Sequence, residues 1–373
     1  MSYARIADHR SMALDLQRNR AYYNALKTSV TPDTVVLDLG AGIGVHGLLA
    51  AQLGAKRVYC VEPEDIIRVA EQIAGANGLA ERMVFLHGRI EEVALPEPVD
   101  LIVSVFTGNM LLTEDLLPSL FYARDRYLKP GGHLLPGRAR LEAVPVSTPE
   151  IYNREVASWS RPHLGLDLSV ARPFAAHTAY YRLKDTRQAE YLAEPQPLLT
   201  LDFATAHDIH CDQSVTFTIN RAGECHGFMG WFAMELGADW LSTAPHQPEM
   251  HWTPVFMPID PPLVCVKGEK IEFRLVRPAY TDWNWMVTAT QGERRHSTLF
   301  SRPWDPASLR KTNPTYKPNL NRTGQMIRLL LTQLEGQTSI EEAAGQLRDA
   351  FPEALPSHDD AVAFVHKYAD WYD

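Results

Sequence analysis

The chain has 373 residues, 45% hydrophobic and 22% charged, with a formal net charge of −9. Its length exceeds one ordinary domain, its negative balance argues against nucleic acid as a partner, and no apolar run reaches the roughly 18–20 residues of a membrane helix. The N-terminus lacks a secretory apolar core, and Cys60, Cys211, Cys225 and Cys265 are scattered without CxxC spacing, so the sequence reads as a cytoplasmic protein with reduced thiols and no metal site.

Residues 1–30 carry helical spacing, with Met12, Leu16, Tyr23 and Leu26 near one face. A buried strand then runs into the glycine-rich turn Asp38-Leu-Gly40-Ala-Gly42-Ile-Gly44, followed by a helix closed by Gly54 and a second strand ending at Glu62. Helix, strand, strand and a helix over 114–128 follow, and Lys129-Pro-Gly-Gly132 reads as a turn. Strands alternating with helices over about 30–145 predict a parallel, doubly wound sheet.

From about 195 to 300 the pattern changes to strands and turns, predicting an antiparallel β domain, with a Tyr- and Trp-rich insertion at 150–180. After an Asn/Pro-rich linker carrying Arg310, Lys311, Lys317 and Arg322, three amphipathic helices follow. Thr338 with Glu341, or Ser339 with Glu342, supplies a capping box for the second. His207, His210 and Cys211, with Cys225 and His226 nearby, are ligand-type residues, but the spacing puts the two histidines on opposite faces of a strand, against a metal site.

Glycines in a strand-to-helix turn let a ligand approach the backbone, and amides at the helix start offer donors. The dinucleotide fingerprint needs a glycine where Val45 stands, so Asp38, Gly40 and Gly42 point to S-adenosylmethionine rather than NAD. Glu62 is placed to accept the ribose hydroxyls. Asp38 is placed to order the loop or to bind the ligand's ammonium through water.

The chain resembles the protein arginine methyltransferases over most of residues 1–300. The N-terminal pattern H-x-x-M-x-x-D-x-x-R is met by His9, Met12, Asp15 and Arg18, with Tyr22 after it. The cofactor motif, the acidic pair Glu91 and Glu92, the segment 120–141 and a T-H-W-like loop at Met250-His251-Trp252 follow in order. The resemblance implies a Rossmann-like S-adenosylmethionine domain at 1–145, a β-barrel-like domain at 146–305 with a dimerisation arm at about 150–180, and a homodimer. It implies that Arg18 holds the cofactor carboxylate, Met12 packs near the sulfonium, Glu91 and Glu92 sit by the adenine, and His251 meets Asp15 to order the acceptor site.

The family's acceptor loop reads S-E-x-M-G-x-x-L-x-x-E, and its two glutamates clamp the acceptor guanidinium. Here Ser104 and Glu114 match, but Val105 replaces the first glutamate. The pocket would comprise Ser104, Val105, Thr107, Asn109 and Trp252, with Glu114, His251 and Asp15 as the catalytic group. Compensation by Asn109 or Thr107, or an acceptor needing one carboxylate, stays open. So do a free amino acid as acceptor and a catalytically silent scaffold.

Residues 318–373 resemble the small PqqD-like domains that bind leader peptides of ribosomally made natural products. That resemblance implies recruitment of a peptide by strand addition at a sheet edge.

Overall fold

The computed structural model describes residues 5–183, 185–311 and 313–369. Two helices open the chain, α1 (Ile6–Ala13) and α2 (Leu16–Ser29). Asp15 caps α2, its Oδ1 accepting the Arg18 backbone N–H at 3.0 Å. The apolar face predicted for this segment is rotated. Leu16 is 73% exposed, whereas Arg18, Tyr22, Ala25 and Leu26 are buried. Those four follow the helical repeat from Arg18, and Tyr22 is drawn inward by its hydroxyl, which donates to the Ser104 carbonyl at 2.9 Å.

The first sheet holds β1 (Val35–Leu39), β2 (Arg57–Glu62), β3 (Met83–His87), β4 (Val99–Ser104) and β5 (Leu128–Leu135), in the order β3-β2-β1-β4-β5. All four pairings are parallel. Helices α3 (Val45–Gln52), α4 (Ile67–Ala76) and α5 (Leu117–Tyr127) make the connections. β1 is buried throughout, as a central strand covered on both faces must be. The Lys129–Gly132 segment belongs to β5 rather than forming a separate turn. It sits on the sheet edge, where a register shift against β4 accommodates it. The strand order reverses between β1 and β4, the switch point at which doubly wound sheets open a ligand crevice.

The chain leaves this sheet at once through β6 (Arg138–Ser147), which pairs antiparallel with β8 (Gln196–Asp202) and β10 (Gly223–Leu236). Between them lie α6 (Pro149–Glu155), α7 (Arg172–Ala176) and the short β7 (Glu190–Tyr191). Strands β11 (Asp239–Ser242) and β12 (Val255–Cys265) also join β10. A four-stranded antiparallel sheet adds β9 (Cys211–Thr218), β13 (Lys270–Arg277), β14 (Asn284–Ala289) and β15 (Gly292–Ser297). The proline-rich β12 does not look like a strand in the sequence. Its ladder runs along β10, with one bridge to Tyr180 on the other side at Phe256, and Pro261 and Pro262 fall in the unpaired stretch between Pro258 and Leu263 where β10 shifts register, so their missing N–H donors are tolerated.

Residues 304–373 form a separate compact unit. It contains α8 (Pro306–Lys311), α9 (Arg322–Glu335), α10 (Ile340–Ala350) and α11 (His358–Ala369). Met326, Leu330, Ala344, Leu347 and Val365 are among the residues of its own apolar core. Ser339 and Glu342 make the capping box of α10. The described residues of this unit hold no strand, so recruitment by strand addition has no sheet edge within it. Asp370, Trp371 and Tyr372, the end of the third helical segment, lie outside the described residues.

Candidate active site

The turn after β1 takes three left-handed glycines, with φ of 69° at Gly40, 55° at Gly42 and 78° at Gly44. Two of them are also hemmed in. A Cβ on Gly40 would run into the Phe106 ring, and one on Gly42 would come within 2.9 Å of the His9 imidazole. Asp38 is buried beneath the turn, its Oδ2 accepting the Gly47 N–H at 2.7 Å. Burial, with help from Glu62, raises its pKa to about 7, against the Gly47 bond and Arg18. Glu62 accepts the Gly42 N–H on Oε2 at 2.8 Å and the Glu64 N–H on Oε1 at 3.0 Å. Burial pushes its pKa up as well.

Arg18 comes to the same crevice from α2. It is 4% exposed, donates from Nη2 to the Met12 carbonyl at 2.7 Å, and lies 5.8 Å from the centre of the Trp252 ring. Burial lowers its pKa, while Asp15 and Asp38 support the charge. Met12 is half-buried beside it. Glu91 and Glu92 are exposed on the loop after β3, where Glu91 accepts the Ser119 hydroxyl at 2.6 Å and Glu92 the Arg89 N–H at 3.4 Å.

His251 and Asp15 are brought together although 236 residues separate them. The backbone N–H and Nδ1 of His251 both lie 2.9 Å from Asp15 Oδ2. Burial alone would raise the Asp15 pKa, but these bonds and the Arg18 N–H bring it to about 2. Burial and the nearby Arg18 charge lower the His251 pKa, outweighing Asp15. Trp252 is buried edge-on against Phe232, 5.2 Å between centres.

The loop 104–115 runs along the second domain. Met110 and Leu111 are buried with φ of 56° and 62°. Met110 packs so tightly on Gly230 that a Cβ there would lie 2.6 Å from its sulfur. Asn109 Oδ1 accepts the Thr253 N–H at 3.0 Å, which ties the loop to the segment before β12. Val105 is half-buried against the core, Ser104 is buried, and Thr107 Oγ1 is buried with no hydrogen-bond partner. Glu114 is exposed and leans over Gly108, where an added Cβ would come within 2.8 Å of its Cγ.

Several contributors carry no signal in the sequence reading. His46, in the first turn of α3, is buried with Nε2 unpartnered and its ring 4.3 Å from Tyr22. Asp115 and Arg277 form a bidentate pair at 2.8 and 2.7 Å across 162 residues. Only the adjacency of Asp115 to Glu114 could have suggested it. His207 and His210 lie on the loop before β9 rather than on a strand. His207 Nδ1 stands 3.2 Å from Arg124 Nη2, and the described residues hold no metal-binding cluster.

Residues 36–132 match the methyltransferase domain and residues 137–282 the arginine methyltransferase oligomerization subdomain. The chain is 36% identical over 256 residues to an Arabidopsis thaliana "Probable protein arginine N-methyltransferase 6", covering 66% of this chain and 58% of that one. It is 32% identical over 304 residues to Protein arginine N-methyltransferase 2 of Xenopus tropicalis, covering 78% of this chain and 70% of the relative. The chain belongs to the protein arginine N-methyltransferase family. It spans somewhat over half of the Arabidopsis relative's length, 58%. The fold is that of arginine methyltransferase structures: a Trypanosoma brucei PRMT1 enzyme-prozyme heterotetrameric complex matches with TM-score 0.73 at 23% identity, over 80% of this chain and 99% of that one.

S-adenosylmethionine is the cofactor of the methyltransferase domain, and the crevice fits it. Gly40 and Gly42 leave the backbone open where side chains would block it, Glu62 keeps spare acceptor capacity, and Arg18 offers a buried cation. The oligomerization subdomain begins one residue before β6, where the chain leaves the parallel sheet. No described helix is long and apolar enough to cross a membrane.

Proposed function

We propose that the protein transfers a methyl group from S-adenosylmethionine to an arginine side chain of a peptide or protein, using one carboxylate where its family uses two. The observation that carries this reading is the loop 104–115, which holds Glu114 against Gly108 while Val105 occupies the position of the other glutamate. The cofactor supplies an electrophilic methyl group on a sulfonium. Arg18 holds its carboxylate by a bidentate contact, and Glu62 accepts its ribose hydroxyls. Met12, Asp38, Glu91 and Glu92 complete the binding site. Glu114 orients the acceptor nitrogen and stabilises the positive charge of the guanidinium. His251 and Asp15 keep α2 in place against the second domain.

Val105 favours a second reading, in which the acceptor is a nitrogen that one carboxylate suffices to orient, such as an imidazole or amine. Glu114→Gln separates a working site from a misplaced one. It should lower the transfer rate by about two orders of magnitude or more while cofactor affinity stays constant, because only transition-state stabilisation is lost. A fully active variant places the acceptor pocket elsewhere. Val105→Glu should raise the rate on a guanidinium acceptor and lower or leave unchanged the rate on an imidazole.

The insertion at 150–180 exposes Leu164 at 90% and Val170 at 78%, an apolar surface suited to an arm that docks on a second copy. We assign the homodimer to that arm. The helices at 318–373 recruit a peptide acceptor, the role their PqqD-like pattern suggests.

A further inference from the structure

We propose that the Asp115–Arg277 ion pair positions Glu114, so that the second domain sets the geometry of the acceptor site. The inference rests on the reading of Glu114 as the acceptor-orienting carboxylate. Asp115 follows Glu114 directly and has a φ of 55°. A side chain other than glycine keeps such a conformation only where its surroundings over-determine it. Here the surroundings are specific. Arg277, the last residue of β13, reaches across with both terminal nitrogens to both carboxylate oxygens at 2.8 and 2.7 Å. The Tyr280 N–H adds a contact to Asp115 Oδ1 at 3.3 Å.

Arg277 is 4% exposed and lies 5.3 Å from the centre of the Trp283 ring, so its fork cannot wander. A bidentate pair fixes orientation as well as distance. Removing one member leaves a buried charge uncompensated. The other end of the loop is tied to the same domain by Asn109 and by Met110 on Gly230. Glu114 lies between two anchors. Asp115 is the other carboxylate of the loop, and Arg277 holds both its oxygens.

The test uses the full chain loaded with S-adenosylmethionine. Methyl transfer is measured to three synthetic peptides carrying arginine, histidine or lysine, and hydrogen exchange is followed over residues 104–116. Asp115→Asn should accelerate exchange in that loop at least tenfold with the rest of residues 1–303 unchanged. It should lower kcat 10- to 100-fold while the acceptor KM moves less than threefold and cofactor Kd is constant. Arg277→Lys, which keeps the charge but not the fork, should recover part of the loss seen in Arg277→Gln. If Asp115→Asn is insoluble, the double variant Asp115→Asn with Arg277→Gln removes both charges and should show the same mobile loop. Unaltered loop exchange, or a kcat within twofold of the parent, overturns the proposal. If none of the peptides is methylated, loop exchange decides alone. Glu114→Gln run in parallel keeps the two ideas apart: an active Glu114→Gln sinks the reading of Glu114, whereas an inactive one beside a fully active Asp115→Asn sinks only the positioning role.

Discussion

Asp15 and Asp38 are both buried carboxyls, yet their pKa values move in opposite directions, to about 2 and about 7. Asp15 receives three hydrogen-bond donors, which outweigh burial, whereas Asp38 receives one and lies near Glu62. The consequences for stability are opposite in sign. Between the ordinary value of 3.8 and about 7, native Asp38 holds a proton that the unfolded chain has released. Its contribution is therefore full below pH 4 and lost as pH rises through 7. Asp15 contributes above pH 4 and loses that contribution as pH falls through 2. Asp38→Asn should flatten the pH dependence of the urea midpoint between pH 4 and 7 in the cofactor-free protein. An unchanged slope there would assign the effect to another group. At Glu62, substitution by Ala should weaken S-adenosylmethionine binding by roughly 1.5–3 kcal/mol, the scale of lost charge-assisted hydrogen bonds. Titration calorimetry showing equal affinity would place the ribose elsewhere.

At the level of elements, the junction of α2 with the loop before β12 is a latch made by a helix cap. Asp15 uses Oδ1 to cap its own helix and Oδ2 to hold His251. Asp15→Ala should cost roughly 2–4 kcal/mol, combining a lost cap with two lost bonds. Asp15→Asn should cost less, because an amide oxygen still caps. Chemical denaturation of both variants checks the order. These elements were unequally legible from sequence. β1 and its glycine turn are readable because an unbroken apolar run followed by closely spaced glycines has few alternatives. α2 is readable as a helix, but its buried face is not, since that depends on the Tyr22 hydroxyl reaching Ser104. β12 hides behind prolines that its irregular pairing with β10 permits. The proposed ligands of the cofactor lie in local motifs, whereas Asp115 and Arg277 meet through tertiary folding that no spacing rule encodes.

For the whole molecule, the division at Pro303 and Trp304 predicts independent folding of the first unit. A chain ending at residue 303 should bind S-adenosylmethionine with the parent affinity. It should lose turnover on a long peptide more than on a short one at high concentration, because tethering raises effective concentration. Failure of that truncated chain to fold would make the helices part of the core. Within residues 1–303 the parallel sheet and the β domain depend on each other in a more direct way. Arg124 of α5 donates to the carbonyls of Phe203 and Ala206 at 2.7 Å, and Met110 rests on Gly230. Gly230 has φ outside the left-handed region, so what crowds a side chain there is Met110, with Met257 Cε also close at 3.1 Å. A single methyl group added there would press on Met110 and, through it, on the loop that carries Glu114. On the proposed reading of Glu114, changes in the β scaffold should alter acceptor choice while the proposed cofactor ligands stay constant, and libraries aimed at new acceptors should be built around Gly230 and its strand.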